Sequence, residues 1–220
     1  METVKKWRAN PARAPHGTTR AQVSKALGVD EMILRPRGVR SVVKTGASRE
    51  IVAAYPYRNA CPTIVWGRLI DAAERDLTFA GYTNYFIWQE HQKIADRLRA
   101  KAASGAAVRF LVGDPESRVT KDREEVEGVP LTVGTRIRIT LDALSRLQDE
   151  PGVSARHSDA HIALSVFTFD DDMLVTPHLS SLLGHESPML HLRRLGPDGL
   201  FDRFAGHVDA LWKDGRPVEF

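Results

Sequence analysis

The stretch VSARHSDAHIALSVFTFDDDMLVTPH, Val153–His178, holds more chemically versatile side chains than any other part of the chain. Three histidines, His157, His161 and His178, and an unbroken run of three aspartates, Asp170–Asp172, fall within it. Apolar residues alternate with other residues before the aspartates and resume directly after them, a pattern typical of a strand, a turn and a second strand. The sequence therefore predicts a β-hairpin with two of the histidines before its first strand and one after its second.

Two further apolar segments, LTFAGY at 77–82 and AVRFLVGD at 107–114, predict buried strands, and a helical segment that ends at a glycine connects them. This order of strand, helix and strand predicts a parallel pair with a right-handed crossover. In open α/β sheets, ligands bind beyond the carboxyl ends of such strands. Tyr82, Asn84 and Asp114 lie at or just beyond the carboxyl ends of these two segments and are therefore candidate ligand-binding residues.

The rest of the body alternates between helical and extended patterns, which places the chain in the α/β class. The charged run at 116–128 is either a lid over a phosphate or solvated surface, and solvated surface is the favoured interpretation. The other segments predict helices at 49–55, 64–73, 135–147 and 200–212 and a strand at 189–195.

Composition limits the class of protein. Of the 220 residues, 42% are hydrophobic, which is enough for a substantial core. The single cysteine, Cys61, excludes an internal disulfide framework and a zinc site built from several cysteines. No apolar run approaches the length of a bilayer span, and the first residues lack the hydrophobic region of a signal peptide. A cytoplasmic protein with no membrane contact is expected.

Charge is distributed unevenly along the chain. Residues 1–50 contain 11 Lys and Arg against 4 Asp and Glu, a net of +7, whereas residues 51–220 contain 20 against 24, a net of −4. A basic arm on a slightly acidic body is a pattern found in nucleic-acid-binding proteins, although a solvated tail has the same composition. The candidate nucleic-acid-binding residues are Lys5, Lys6, Arg8, Arg13 and Arg20.

The basic arm resembles the last part of an XRE-type helix-turn-helix domain. The residues that carry the resemblance are Trp7, Pro11, Val23, Ala26, Leu27, Gly28, Val29 and Glu31, within VKKWRANPARAPHGTTRAQVSKALGVDEMILRP. The helices that precede the tryptophan in that family are absent from the sequence. Residues 1–35 are accordingly expected to be a helix-turn-helix remnant that does not dock in a major groove as an intact domain does, and 36–46 a linker.

The body, 47–220, resembles the phospholipase D-like C-terminal domain of XRE-type bacterial regulators. The matching residues are Tyr55-Pro56, Pro62, Trp66, the block Gly105–Pro115, Val153-x-x-Arg156-His157, Phe169-Asp170-Asp171-x-Met173-Leu174-Val175, His178 and Pro188-x-Leu190-His191-Leu192-Arg193. The resemblance implies one lobe of the phospholipase D fold, which is a mixed sheet flanked by helices, after a short helical N-terminal arm. It also implies a homodimer with its site near the two-fold axis.

The resemblance is defective at the catalytic motif of that superfamily, His-x-Lys followed by an aspartate. In His161-Ile162-Ala163 an alanine stands where the family has lysine, and the aspartate would fall at Thr168. The lysine holds the phosphate charge in that family, so its loss removes electrostatic stabilisation and makes hydrolysis improbable. The other His-x-Lys of the sequence, at His91, lies in a helical segment and is expected on a solvated face.

The site expected from these considerations is a pocket that keeps the location of the phospholipase D site. Its ligand-binding candidates are Tyr82, Asn84, Asp114, His157, Ser165, Asp171 and Arg193, and, if the chain is an enzyme, its catalytic candidates are His161, His178 and Asp170. The plain alternative is that the aspartates only build the hairpin turn and that His157 and His191 are satisfied polar groups. No spacing suits a metal, and no cofactor is expected.

Three functions are compatible with the sequence. The preferred one is a sensor or dimerisation module of a transcriptional regulator, a homodimer whose basic arm contacts DNA or a partner regulator and whose pocket takes a small phosphorylated ligand. The second is a phosphodiesterase or nuclease that uses His161 or His178 with Arg156 or Arg193 as a nonstandard cation. The third is a purely structural interaction protein.

Overall fold

A mixed β-sheet organises the residues that the computed structural model describes, which are 49–220 without 92, 130, 180 and 181, together with 22, 25 and 26. Its eight strands are β1 (Ile51–Tyr55), β2 (Asp76–Ala80), β3 (Ala107–Gly113), β4 (Val153–Ser158), β5 (Leu164–Phe169), β6 (Asp172–Pro177), β7 (Met189–Arg193) and β8 (Arg216–Pro217). The α-helices of the same residues are α1 (Thr63–Ala72), α2 (Tyr85–Glu90), α3 (Ile94–Ala103), α4 (Arg118–Glu127), α5 (Thr132–Ser145) and α6 (Leu200–Asp214).

The strands lie in the order β1-β7-β6-β5-β2-β3-β4-β8. β2, β3 and β4 are parallel, whereas β5 runs antiparallel to β2 and begins an antiparallel series through β6 and β7 to β1. The two-residue β8 pairs antiparallel with β4 at the other edge. The predicted α/β class, with a mixed sheet flanked by helices, is confirmed, and so is the parallel pairing of β2 with β3.

The alternation of side chains along β5 explains why helices cover both faces of the sheet. Phe167 and Phe169 lie on the face that packs against Trp66 of α1, with ring centroids 5.1 and 6.5 Å from the tryptophan. Val166 lies on the opposite face, in the cluster that contains Phe201 of α6. Burying a large apolar side chain contributes on the order of 2 kcal/mol, so the strand is held from both sides.

The β5–β6 hairpin forms as predicted, but its turn is shorter than the run of three aspartates. Asp170 and Asp171 connect the strands, while Asp172 is the first residue of β6. Asp170 has a φ of 52°, in the left-handed region that Asp tolerates better than most residues. The short turn fixes the register in which Phe169 pairs with Asp172 and Leu164 with Pro177.

The helix predicted at 49–55 is wrong, because Ile51–Tyr55 forms strand β1. It pairs antiparallel with β7, with Ala53 opposite His191 and Tyr55 opposite Met189. The helix propensity of a short segment is easily outweighed where a neighbouring strand offers backbone hydrogen bonds. Pairing with a segment far along the chain therefore decides the conformation.

The expectation that His91 lies on a solvated helix face is also wrong. The helix predicted across this segment is interrupted, since α2 ends at Glu90 and α3 begins at Ile94 after Lys93, whose φ is 56°. At the break the His91 side chain turns inward and is 4% exposed, with its ring centroid 6.2 Å from that of Trp66. Burial lowers the pKa of His91.

The charged run at 116–128 is not simply solvated surface, because it contains helix α4. Ser117 caps this helix by accepting a hydrogen bond from the backbone N–H of Thr120 at 3.2 Å. Thr120 and Arg123 are buried, with 1% and 6% exposure, and the Glu127 side chain is only 10% exposed, whereas most of the other charged residues of the helix are exposed. The helix therefore presents an arginine and a glutamate, Arg123 and Glu127, to the interior.

The described residues of the N-terminal part, Gln22, Lys25 and Ala26, are helical. The expected helix-turn-helix remnant otherwise lies outside the described residues, as do the linker at 36–46 and the candidate nucleic-acid-binding residues Lys5, Lys6, Arg8, Arg13 and Arg20. Ser48–Phe220 forms one compact unit. Among the described helices, none has the length and hydropathy that crossing a bilayer requires.

Candidate functional site

A cavity of about 300 Å³ lies where β2 and β3 end and where β5 begins. Its wall includes four residues that the sequence singled out, Tyr82, Asn84, Ser165 and His178. The antiparallel register of β5 with β6 brings Ser165 opposite Thr176, two residues before His178. These four side chains come together because the parallel and antiparallel halves of the sheet meet at this edge.

His178 is fixed by hydrogen bonds at both ring nitrogens. Its Nδ1 lies 2.8 Å from the carbonyl oxygen of Ile162, and its Nε2 lies 2.8 Å from the hydroxyl of Ser165. A carbonyl oxygen only accepts hydrogen bonds, so Nδ1 carries the proton and Nε2 accepts from Ser165. Burial, reinforced by the positive charge of Arg123, lowers the pKa of His178 to about 4. The ring is therefore neutral near pH 7.

Tyr82 contacts both His178 and His161. Its ring stacks on His178 with centroids 5.4 Å apart, and its hydroxyl accepts a hydrogen bond from the backbone N–H of Ile162 at 3.2 Å. The same hydroxyl lies 3.1 Å from Nδ1 of His161, whose ring is exposed. Burial raises the pKa of Tyr82, so the phenol stays protonated. His161, Tyr82 and His178 thus form one hydrogen-bonded and stacked group.

Asn84 fixes the backbone beneath the cavity. It adopts a left-handed conformation with a φ of 49°, and its amide Nδ2 donates to the carbonyl oxygens of Phe79 and Leu111, both at 3.0 Å. The side chain therefore joins the ends of β2 and β3. Its Oδ1 is buried without a hydrogen-bond partner among the described residues.

Charged side chains that the sequence interpretation did not assign to the site surround the cavity. They are three arginines and two glutamates: Arg58, Arg123, Arg136, Glu90 and Glu127. Arg123 donates through Nε to Glu127 at 3.0 Å, and Arg136 lies 3.8 Å from the other oxygen of the same carboxylate. One glutamate is thus shared by two arginines, and the wall has a net charge of +1.

Arg58 is the arginine of the wall that has no carboxylate in contact among the described residues. Its guanidinium lies 3.9 Å from the ring centroid of Phe86, and among the described residues no carboxylate lies within ion-pair distance of it. Burial lowers its pKa to about 10, partly countered by the charge of Glu90, so the side chain remains cationic at neutral pH. A cation without a carboxylate partner attracts an anion.

Asp114 and His157 lie on a neighbouring part of the sheet edge and not in the cavity wall. Asp114 accepts from Arg216 at 2.6 Å and from the backbone N–H of Glu116 at 2.8 Å. His157 Nδ1 lies 3.4 Å from the carbonyl oxygen of Gly113. Arg216 also pairs with Asp159, so this group holds β8 against β4.

The remaining candidates, Asp170, Asp171 and Arg193, lie at the opposite end of the hairpin from Ser165 and His178. The Asp170 carboxylate accepts from the backbone N–H groups of three consecutive residues, Glu74, Arg75 and Asp76, at 2.8, 2.9 and 2.9 Å. Arg193 forms a bidentate pair with Asp172 at 3.0 Å, and the same carboxylate lies 2.8 Å from Nε2 of His191. These polar groups join elements of the fold and do not meet the cavity.

Neither arginine considered as a substitute for the missing lysine contacts the histidines. Arg156 donates to the carbonyl oxygen of Trp212 at 2.7 Å and lies 5.0 Å over the Trp212 ring, while Arg193 is paired with Asp172. The positive charges that act on His178 come instead from Arg123 and Arg58. Arg123 could have been recognised in the sequence by its spacing, because Thr120, Arg123 and Glu127 lie on one face of a helix.

Among the described residues, no group of three or more His, Cys, Asp or Glu side chains is arranged to hold a metal ion. The cavity wall contains three arginines against two glutamates, together with a histidine that is hydrogen-bonded at both nitrogens, hydroxyls and amides, and its net positive charge favours an anion. The arrangement can therefore bind a negatively charged small molecule through Arg58, with the amide of Gln89 as a further donor in the wall.

No protein-family model matches the chain, and no curated protein matches it. Among solved structures, TrmBL2, an archaeal chromatin protein whose structure shows a novel mode of DNA binding, matches with a TM-score of 0.47 and 11% identity over 99% of this chain and 69% of that one. Phosphatidylserine synthase from Haemophilus influenzae Rd KW20 matches with a TM-score of 0.46 and 13% identity over 71% of this chain and 36% of the synthase. Both are distant similarities of fold, and no residue's role follows from them.

Proposed function

We propose that the chain is a sensor and dimerisation module of the transcriptional-regulator type, whose phospholipase D-like body binds a small phosphorylated ligand without hydrolysing it. The single observation that carries the proposal is the contrast between Arg58 and His178. Arg58 faces the cavity as a cation without a carboxylate partner among the described residues, whereas His178 has both ring nitrogens engaged.

The state of His178 argues against phosphoryl transfer by this residue. A nucleophilic or basic imidazole needs a nitrogen with an available lone pair, and the lone pair on Nε2 accepts the Ser165 hydroxyl at 2.8 Å. Its pKa of about 4 also makes it a weak base. The missing lysine beside His161 points the same way, because Ala163 supplies no charge to a developing phosphorane.

The charges of the wall favour binding of one anionic group. Glu127 compensates one of the two positive charges of Arg123 and Arg136, and Arg58 has no carboxylate within ion-pair distance among the described residues, so the wall keeps a positive charge that attracts the ligand. Hydrogen bonds to charged groups contribute about 1.5 to 3 kcal/mol each, so one arginine accounts for at least a tenfold change in affinity.

The test is isothermal titration of the full chain with inorganic phosphate and with ribose 5-phosphate. The Arg58→Met variant keeps an apolar stem over Phe86 and should lower the affinity at least about tenfold. Arg146→Met is the matched control, because Arg146 is an exposed arginine that pairs with Asp142 outside the cavity. Equal affinities of the two variants would contradict the proposal.

Hydrolysis is tested with bis-p-nitrophenyl phosphate at high protein concentration. We expect no turnover above the buffer rate. Turnover that His161→Ala abolishes would identify the chain as a phosphodiesterase with a nonstandard site and would replace the sensor proposal.

The remaining parts of the proposal concern the assembly and its partners. The basic arm is proposed to contact DNA or a partner regulator, and the body to form a cytoplasmic homodimer. A DNA complex should weaken steeply with salt, because bound Lys and Arg release counterions, and should be lost on deletion of residues 1–46. Sedimentation at micromolar concentration should give the mass of two copies, and a mass of one copy would exclude the dimer.

A further inference from the structure

The cavity beside Arg58 meets a second cavity at a wall that contains one cation and one anion. The second cavity, of about 200 Å³, shares four wall residues with the first: Arg58, Asn59, Phe86 and Glu90. A charged residue of each sign therefore lines both cavities, and a ligand in either one can reach the two charges.

The two charged residues of this common wall do not pair with each other. Among the described residues, no ion pair or side-chain hydrogen bond joins Glu90 to a cation, and no carboxylate lies within ion-pair distance of Arg58. The negative charge of Glu90 nevertheless acts on Arg58, since it counters part of the fall in the Arg58 pKa that burial causes. The two groups are thus near enough to influence each other, and each keeps its capacity to bind a ligand.

The other arginines and the other glutamate of the first cavity are engaged with one another. Arg123 donates to one oxygen of Glu127 at 3.0 Å, and Arg136 lies 3.8 Å from the second oxygen. The backbone N–H of Arg58 donates to the carbonyl oxygen of Ser187 at 2.9 Å, which holds the segment that carries this arginine. A ligand that contacts Arg58 and Glu90 therefore forms new ion pairs without breaking an existing one among the described residues.

Opposite charges in one wall suit a ligand that carries both signs itself. A phosphate forms charge-assisted hydrogen bonds with a guanidinium, and an ammonium group forms them with a carboxylate. The amide of Asn59 and the hydroxyl of Thr63 add uncharged polar groups to the wall of the second cavity. A ligand with a phosphate alone would leave Glu90 unmatched and would be repelled by its charge.

We infer that the ligand of these cavities is a phosphate monoester that also carries a primary ammonium group, with the phosphate at Arg58 and the ammonium at Glu90. The inference rests on the proposed function, since it names the class of the phosphorylated ligand. Amino sugar phosphates and phosphorylated amino alcohols belong to this class.

The test uses pairs of ligands that differ in one group. Glucosamine 6-phosphate is compared with glucose 6-phosphate, and phosphoethanolamine with 2-hydroxyethyl phosphate, by isothermal titration of the full chain at pH 6.5, where a primary amine is protonated. In at least one pair, the ammonium compound should bind about fivefold more tightly than its hydroxyl counterpart. This ratio is the upper part of the range for an ion pair with an exposed carboxylate such as Glu90.

Glu90→Gln removes the charge and keeps the size of the side chain. It should reduce the preference for the ammonium compound to within about twofold, and the hydroxyl compound should bind at least as tightly as to the wild type, because a repelling charge is lost. Glu125→Gln is the matched control and should keep the full preference, because Glu125 is an exposed glutamate that lines neither cavity. Thermal unfolding verifies that both variants are folded.

The outcomes separate the two proposals. If a hydroxyl compound binds in an Arg58-dependent manner and neither ammonium compound binds more tightly, the ammonium-bearing ligand is overturned and the phosphate site stands. If the preference is the same in Glu90→Gln as in the wild type, Glu90 does not bind the ammonium group and the inference is overturned as well. If no phosphate compound binds, both proposals are overturned.

Discussion

The hydroxyl of Ser165 and Nε2 of His178 lie 2.8 Å apart, and the serine is the donor, because the proton of this imidazole is on Nδ1 and is given to the carbonyl oxygen of Ile162. The pair thus holds the ring in one neutral tautomer and one orientation at the wall of the 300 Å³ cavity.

Ser165→Ala should lower the free energy of unfolding by about 1.5 kcal/mol, because it leaves a largely buried acceptor on His178 without its donor. Urea unfolding at pH 7.5 measures the change. Ser145→Ala is the matched control, since the hydroxyl of Ser145 donates to the carbonyl oxygen of Asp142 in the exposed last turn of helix α5. An equal loss in the two variants would show that the Ser165 hydroxyl is not specifically needed.

Acidification should destabilise the protein through His178. Its pKa is lowered from 6.5 to about 4 on folding, so the unfolded chain binds the proton more tightly than the folded one. The stability that the neutral ring provides is complete above pH 6.5 and decreases as the pH falls towards 4, by a total of about 3 kcal/mol.

Urea unfolding at pH 7.5 and pH 4.5 measures this dependence in the wild type and in His178→Gln, whose amide does not titrate. The difference in stability between the two pH values should be smaller in the variant. A difference of the same size would mean that other groups, and not His178, account for the acid sensitivity.

Asp170→Ala should destabilise the fold by about 2 kcal/mol without changing ligand affinity. Burial alone raises the pKa of Asp170, but the three backbone N–H donors of Glu74, Arg75 and Asp76 outweigh it and hold the pKa below its usual value. Alanine removes this acceptor and is strained at a φ of 52°.

Asp170→Asn should lose less, because asparagine tolerates the same backbone conformation and keeps one acceptor oxygen. Chemical unfolding and titration with ribose 5-phosphate check both variants. If a variant lost ligand affinity but kept wild-type stability, Asp170 would be a ligand-binding residue and the prediction would be contradicted.

Gly81→Ala should disturb the 300 Å³ cavity beside Arg58 directly. A Cβ at this position would lie 2.6 Å from the hydroxyl of Ser165 and 3.0 Å from Oδ1 of Asn84, so both side chains must move. We expect ligand affinity to fall about tenfold or more and stability to fall by about 1 to 3 kcal/mol. Titration and urea unfolding measure the two effects.

Gly67→Ala is the contrasting substitution, because a Cβ there meets nothing within 4 Å in the interior of α1. It should raise stability by about 0.5 to 1 kcal/mol through helix propensity and leave binding unchanged. If Gly67→Ala were also destabilising, the effect of Gly81→Ala would be attributed to the loss of a glycine backbone and not to contacts with Ser165 and Asn84.

The hairpin at the centre of the body was predictable because its signal is local. Val166, Phe167 and Phe169 alternate between the faces of a sheet, and the aspartates that follow them favour a turn. By the same reasoning Tyr82 and Asn84, which come directly after a buried strand, were candidate residues, and both line the cavity beside Arg58. Both features are decided by residues that are close together in the sequence, so they can be predicted from it.

The features that escaped prediction depend on partners far along the chain. β1 is a strand because β7, more than 130 residues later, pairs with it through Ala53 and His191. His91 is buried because the helix breaks beside Trp66, and Arg123 reaches the cavity because its face of α4 packs inward. Charge and spacing indicate which residues share a helix face, but only the folded structure shows which face is buried.

The two-residue strand β8 protects one edge of the sheet from pairing with a strand of another chain. One of its residues, Pro217, has no N–H to donate to a further strand, and the other, Arg216, places a charge at the edge. Edge strands that are short, charged or contain proline resist pairing with other chains. Aggregation by strand addition, the route by which exposed sheet edges grow into fibrils, is therefore disfavoured on the β4 side of this protein.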